Sequence, residues 1–126
     1  MSYLLDTNIL IAYLRDDEDV VRELTTWKSE NAVLFLSVIT EIELLSLPNL
    51  TEQEIKIIRN FIREFTVVPL DSNLAFIASE IRRKTNLKIA DAIVTGTSRI
   101  TQSILVTRDK EILSKASAYV RCVSIS

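Results

Sequence analysis

The stretch YLLDTNILIAYL, Tyr3 to Leu14, decides the fold. An apolar run, Tyr3 to Leu5, is cut by the polar residues Asp6, Thr7 and Asn8 and then resumes as Ile9 to Leu14. Side chains of Asp, Thr and Asn accept hydrogen bonds from the free N–H groups of a first helical turn. The pattern therefore predicts a short strand, a cap and a helix from about Asn8 to Leu14. A strand that runs straight into a helix is the opening half of a βα unit.

The same arrangement recurs along the chain. The acidic stretch Asp16 to Asp19 starts a second helix, with Val20, Leu24 and Trp27 on one face. Val33 to Leu36 reads as an apolar strand, and Ser37 to Leu47 as a helix closed by Pro48. Thr51-Glu52-Gln53-Glu54 fits a capping box and opens a helix whose stripe is Ile55, Ile58, Ile62 and Phe65. Thr66 to Pro69 is a third strand. Asp71 then caps a helix in which Leu74, Ile77, Ala78 and Ile81 recur at helical spacing. A helix over about Ile89 to Ile100, a strand at Ile104 to Val106, a helix at Lys110 to Lys115 and a last strand at Tyr119 to Val123 complete the chain. Short apolar strands alternating with helices predict an α/β fold with a parallel sheet covered on both faces. Residues 1–126 are expected to form one domain, large enough to bury about two-thirds of the surface of the unfolded chain.

Composition narrows the chemistry. With 48% hydrophobic and 25% charged residues, the sequence is that of a globular protein rather than a disordered one. It has no signal-peptide pattern and no apolar stretch long enough to cross a membrane, so the expectation is a cytoplasmic protein with no membrane partner. A single cysteine, Cys122, allows no intrachain disulfide. The absence of histidine excludes a Ser-His-Asp triad and His-based zinc sites. One glycine, Gly96, is too few for a Walker loop or a dinucleotide-binding turn. Catalysis, if any, falls to carboxylates, hydroxyls and amines. The net charge of −2 advertises no nucleic acid, but Arg82, Arg83, Lys84 and Lys88 form a local cationic run, with Arg99, Arg108 and Lys110 further on. Such a run suits a solvated helix end as well as phosphates.

Carboxylates stand where a parallel sheet binds ligands, at the carboxyl ends of its strands. Asp6 ends the first strand, and Asp109 follows the strand Ile104 to Val106 after a Thr107-Arg108 turn. Either alone has the chemistry of a helix cap. In KIADAIVTGT every residue from Ile89 to Val94 other than Asp91 is apolar, which predicts a helix buried nearly all round. A carboxylate there needs a proton, a cationic partner or a metal. In SVITEIELLSL, Glu41 and Glu43 lie two apart and point to nearly opposite sides, so only one faces inward, and periodicity does not choose between them. An all-oxygen set favours Mg²⁺ or Mn²⁺ over zinc or copper. Its natural chemistry is attack on a phosphodiester by metal-activated water.

Four motifs, DTNIL, VITEIELL, IADAIVTGTSR and LVTRD, follow one another over nearly the whole chain. Together they closely resemble the PIN-domain ribonucleases, and especially the virulence-associated-protein C (VapC) toxins of toxin–antitoxin pairs. The resemblance implies a three-layer α/β/α sandwich with a mostly parallel sheet and a Mg²⁺ or Mn²⁺ site. It carries catalytic and metal-binding roles onto Asp6, Glu43, Asp91 and Asp109, and it selects Glu43 over Glu41. Thr7, Asn8 and Thr107 become supporting polar groups, and Arg82, Arg83 and Lys88 candidates for RNA phosphates. The implied activity is endoribonuclease, with RNA as substrate and a VapB-like antitoxin as partner. A homodimer is also implied, and the stripe of the Thr51 to Phe65 helix, with Phe61 beside Ile58, Ile62 and Phe65, is expected to cover both core and interface. The chain departs from the family at Ser46 and Pro48, where glycine is frequent. It departs again at Glu111-Ile112-Leu113, where a phenylalanine is frequent, which makes Glu111 an alternative fourth acid. Two rivals are an RNA-processing PIN nuclease without an antitoxin and a non-catalytic interaction module whose acids are caps and ion pairs. A phosphatase fits worse, because Asp6-Thr7-Asn8 is not D-x-D.

Overall fold

A computed structural model describes all 126 residues. Five strands, β1 (Ser2–Leu5), β2 (Val33–Ser37), β3 (Thr66–Val68), β4 (Ile104–Val106) and β5 (Cys122–Val123), form one sheet in the order β3-β2-β1-β4-β5. All neighbouring pairs are parallel, with Tyr3 beside Leu34 on one side and beside Ile104 on the other. The connections are α1 (Thr7–Leu14), α2 (Glu18–Ser29), α3 (Val38–Leu45), α4 (Glu52–Ile62), α5 (Ser72–Thr85), α6 (Ile89–Thr101) and α7 (Lys110–Ala116).

The layers follow from the period-2 alternation of strand side chains. Tyr3, Leu5, Leu34, Leu36, Ile104 and Val106 point to one face, where Ile9, Leu10, Leu24, Trp27, Ile58, Phe61 and Ile62 of α1, α2 and α4 cover them. Leu4 and Leu105 point to the other face and meet Val94 of α6 with Ile112 and Ala116 of α7. Each fully buried Leu or Ile contributes about 1.5–3 kcal/mol of transfer free energy. The expected α/β/α sandwich is thus the observed one.

Helix α5 lies antiparallel to α6 and completes the second layer through Leu74, Ala78 and Ile81 against Ala92 and Ile93. Gly96 makes the close approach feasible, since a Cβ there would stand 3.1 Å from Leu74 Cδ1 and 3.6 Å from the Ala78 nitrogen. The sole glycine therefore serves packing, and the left-handed turns fall to Asp16, Asn31, Asn49, Asn86 and Gln102. Asn and Asp tolerate that conformation best among residues with a Cβ.

Local expectations held at the caps. Asp17 caps α2, Asp71 caps α5, and Thr51 with Glu54 makes a full capping box on α4. Three expectations need correction. The last strand is only Cys122–Val123, because the N–H groups of Tyr119 and Val120 both donate to Ala116 O in a turn after α7. Ile58, Phe61, Ile62 and Phe65 are all buried in the core, so the stripe itself is spent there, and Ile57 is the one exposed apolar residue of α4. Helix α6 is not buried from its start, since Ile89 is 60% exposed and burial is complete only from Ala92 to Ser98. Leu70 and Ile89, both exposed, line a groove of about 250 Å³ between α5 and α6, and Phe76 of α5 is exposed as well. No helix is long and apolar enough to cross a membrane.

Candidate acidic site

The strand order switches direction at β1, which has β2 on one side and β4 on the other. Open α/β sheets bind ligands at such a point, beyond the carboxyl ends of the strands. Asp6 sits there because β1 ends at Leu5 and Asp6 caps α1, its Oδ1 accepting the Thr7 N–H at 2.9 Å. Its N–H continues the sheet to Val106 O at 2.9 Å, which pins it beside the end of β4.

Around Asp6 the polar residues close a network. Thr107, fully buried, donates from Oγ1 to Asp6 Oδ2 at 2.7 Å. Asn8 Nδ2 lies 3.4 Å from Asp6 Oδ2 and 3.3 Å from Thr107 Oγ1, while Asn8 Oδ1 accepts the Arg108 N–H at 3.2 Å. Thr107 Oγ1 also accepts the Asp109 N–H at 3.0 Å. Asn8 and Thr107, expected as polar groups beside the site, both lie in hydrogen-bond contact with Asp6.

Thr7 links a second helix to the group. Its Oγ1 donates to Glu43 Oε1 at 2.6 Å and lies 3.2 Å from Thr40 Oγ1. Glu43 therefore faces Thr7, and Glu41, two residues away, takes no part in this network. Thr40 was missed in the sequence, although it stands three residues before Glu43 and so marks the polar side of α3.

The remaining acids differ in attachment. Asp109 caps α7, its Oδ1 accepting the N–H groups of Glu111 at 2.9 Å and Ile112 at 3.0 Å. Glu111, the alternative fourth acid, is exposed and pairs with Lys115 at 2.9 Å. Asp91 lies in the first turn of α6 beside Lys88 and has no ion-pair partner within 4 Å. Arg82 and Arg83, exposed in the last turn of α5, lie on the same antiparallel hairpin as exposed Lys88.

Electrostatics sets this group apart. Burial pushes the Asp6 carboxyl above its ordinary value, bonds from Thr107 and the Thr7 N–H pull it back, and nearby Glu43 and Asp109 push it up again. Asp91 is pushed up to about 6, by burial first and then by Asp6, Asp109 and Glu43, with Lys88 in opposition. Asp6 and Asp91 thus both sense Glu43 and Asp109 across the end of the sheet. No three of them converge closely enough to enclose an ion directly. The set suits a hard divalent cation that keeps much of its water, as Mg²⁺ does when one or two carboxylates and a phosphate hold it.

The sequence profile of the PIN domain family matches residues 3–118. The chain belongs to the PIN domain family. PIN domains are nucleases, and they generally use divalent metal ions. The PIN fold here is similar to a chain in the crystal structure of VapBC2 from Rickettsia felis bound to a DNA fragment from their promoter. The TM-score is 0.85 at 18% identity over 100% of both chains. A toxin–antitoxin complex from Klebsiella pneumoniae matches with a TM-score of 0.83 at 22% identity, over 98% of each chain. FitAcB from Neisseria gonorrhoeae matches at 27% identity with a TM-score of 0.75, over 95% of each. No curated protein matches the chain by sequence.

Proposed function

We propose that this PIN domain is an endoribonuclease that cuts RNA with Mg²⁺ or Mn²⁺, and that it is the toxin half of a toxin–antitoxin pair. The observation that carries the reading is the group Asp6, Glu43, Asp91 and Asp109 at the carboxyl edge of the sheet, where burial first and then the neighbouring acids push the Asp6 and Asp91 carboxyls up. Acids that were only caps and ion pairs would not be left repelling one another with Lys88 as the one cation acting on Asp91. A bound divalent cation supplies activation of water and stabilisation of the leaving oxygen. Asp6, Glu43, Asp91 and Asp109 would hold it, one or two of them directly and the others through its water. Asn8 and Thr107 fix the orientation of the Asp6 carboxylate, and Thr7 fixes that of Glu43. Arg82, Arg83 and Lys88, exposed on the α5–α6 hairpin, meet RNA phosphates.

The partners follow from the same surfaces. A homodimer would use the exposed apolar residues Leu70 and Ile89 beside the α5–α6 groove rather than the buried stripe of α4. A VapB-like antitoxin is supported by the complexes that the fold matches, and an arginine inserted among the acids would compete with the cation, since a guanidinium pairs bidentately with carboxylate. The decisive experiment is cleavage of defined RNAs by purified protein with Mn²⁺ and with EDTA, alongside Glu43→Gln and Glu41→Gln. Cleavage is expected only with metal, with Glu43→Gln at least about tenfold slower and Glu41→Gln close to wild type. Equal cutting in EDTA would overturn the metal reading. Growth arrest on expression alone, relieved by the co-expressed antitoxin and absent for Asp6→Asn, tests the toxin role.

A further inference from the structure

Arg108 stands between Thr107 and Asp109, yet its guanidinium reaches away from both. Nη1 donates to Asp17 Oδ2 at 2.9 Å, and Nε donates to Ile125 O at 2.8 Å. These partners lie 91 and 17 residues from it in sequence. Each is itself fixed. Asp17 uses its other oxygen to cap α2 through the Val20 N–H at 3.3 Å, and Ile125 is buried in the main core. Both members of the ion pair are only 31% exposed, which shields them more than an open surface pair. The main chain of Arg108 meanwhile serves the acidic site, its N–H bonding Asn8 Oδ1.

We propose that Arg108 is a positioning residue: its fork clamps the Thr107–Asp109 loop to the α1–α2 turn and to the segment after β5, and so holds Thr107 on Asp6. The catalytic part of this proposal rests on the nuclease reading given above. The other long-range side-chain ties of this short loop are the Thr107–Asp6 bond itself and the contacts with Asn8. Thr107 N–H bonds Val123 O at 3.0 Å, but beyond it only Asn8 and the Arg108 side chain restrain the turn before α7 begins. The geometry needs arginine. Two donors diverge from one planar group toward a carboxylate and a carbonyl, which a lysine ammonium on a flexible stem does not reproduce.

The test compares wild type with Arg108→Met, Arg108→Lys, Asp17→Asn and the Arg108→Met/Asp17→Asn pair. Kinetics of RNA cleavage in saturating Mn²⁺ and amide hydrogen exchange of Arg108 (or its replacement) and Asp109 are both read. Arg108→Met is expected to lower kcat about tenfold or more while RNA KM stays within about twofold, because the loop and not the substrate contact is lost. Arg108→Lys should fall between, Asp17→Asn should repeat the defect in weaker form, and Asp17→Asn should add nothing in the Arg108→Met background. The two loop amides should exchange faster in every variant. A raised KM with unchanged kcat would make Arg108 an RNA contact and overturn the proposal, as would unchanged loop exchange. If wild type cuts no RNA at all, the nuclease reading fails, and the exchange data still decide whether the clamp exists. Should Arg108→Met not fold, Asp17→Asn carries the same comparison.

Discussion

Where α6 passes into β4, at the amino edge of the sheet, Ser98 Oγ donates to Ser103 O at 2.7 Å and Thr101 Oγ1 lies 2.7 Å from Ser103 Oγ. At the carboxyl edge Thr107 Oγ1 donates to Asp6 Oδ2, also at 2.7 Å. Both edges bury polar groups, and neither leaves a buried side-chain nitrogen or oxygen without a partner. Hydrogen-bond satisfaction therefore does not separate them. What separates them is charge. The amino-edge network is made of hydroxyls and carbonyls, whereas at the carboxyl edge burial and neighbouring acids together push the Asp6 and Asp91 carboxyls up. A polar group that is bonded yet still strained by its neighbours' charge is poised for a ligand that the chain itself does not provide.

The comparison breaks most visibly at Asp6. Asp6→Asn keeps an acceptor for the Thr7 N–H and removes a buried charge, so the domain should fold. Nuclease activity should nevertheless fall more than about 100-fold, beyond what loss of a merely supporting partner does. Metal-free stability should change little, because the amide no longer repels Glu43 and Asp109 but offers Thr107 Oγ1 an N–H in place of an acceptor. A variant that loses both activity and several degrees of Tm would show Asp6 to be a structural cap like Asp71.

Next in size is the coupling of pH, metal and stability. The Asp91 carboxyl titrates at about 6 in the folded chain against 3.8 for an ordinary one. Between those values the folded state binds a proton that the unfolded state does not, so metal-free stability falls as pH rises through this window and stays low above it. Asp6, also raised, acts in the same direction. A divalent cation offsets that repulsion only when the acids are ionised. Mn²⁺ should therefore raise Tm clearly at about pH 7.5 and little at about pH 5, as thermal unfolding with and without metal would show. An equal rise at both values would place the ion away from Asp91.

How much of this was legible in the sequence depends on range. The βα alternation could be read because each strand is a short apolar run ending in a capping residue, as at Leu5-Asp6 and Ser37. Asp6 and Asp109 could be placed at one edge for the same local reason. Asp91 was read as more enclosed than it is, because an apolar helix start says nothing of what covers it, and Ile89 is in fact open to solvent. The stripe of α4 posed the mirror problem: its period announced burial without naming the core as its cover. That Glu43 rather than Glu41 faces Thr7 could be read only from the resemblance or from Thr40 on the same side of α3. The bond from Arg108 to Asp17 had no local signature, since ion pairs between distant turns leave no period in a sequence.

The smallest expected effect sharpens the contrast from the amino edge. Gln102 ends α6 with φ 53° and ψ 39°, a left-handed conformation that crowds any Cβ, while its N–H still bonds Arg99 O at 3.3 Å. Glycine carries no such crowding and is the usual residue at a helix end of this shape. Gln102→Gly relieves the folded state but frees the unfolded chain as well, so the net gain should be only about 0.5 kcal/mol. Urea unfolding should show a slightly higher midpoint with an unchanged slope. Cleavage kinetics should not move, because no charge at this edge acts on the acids across the sheet. A gain in stability that came with a change in kcat would mean that the two edges communicate, and the division between a hydroxyl edge and an acidic one would have to be redrawn.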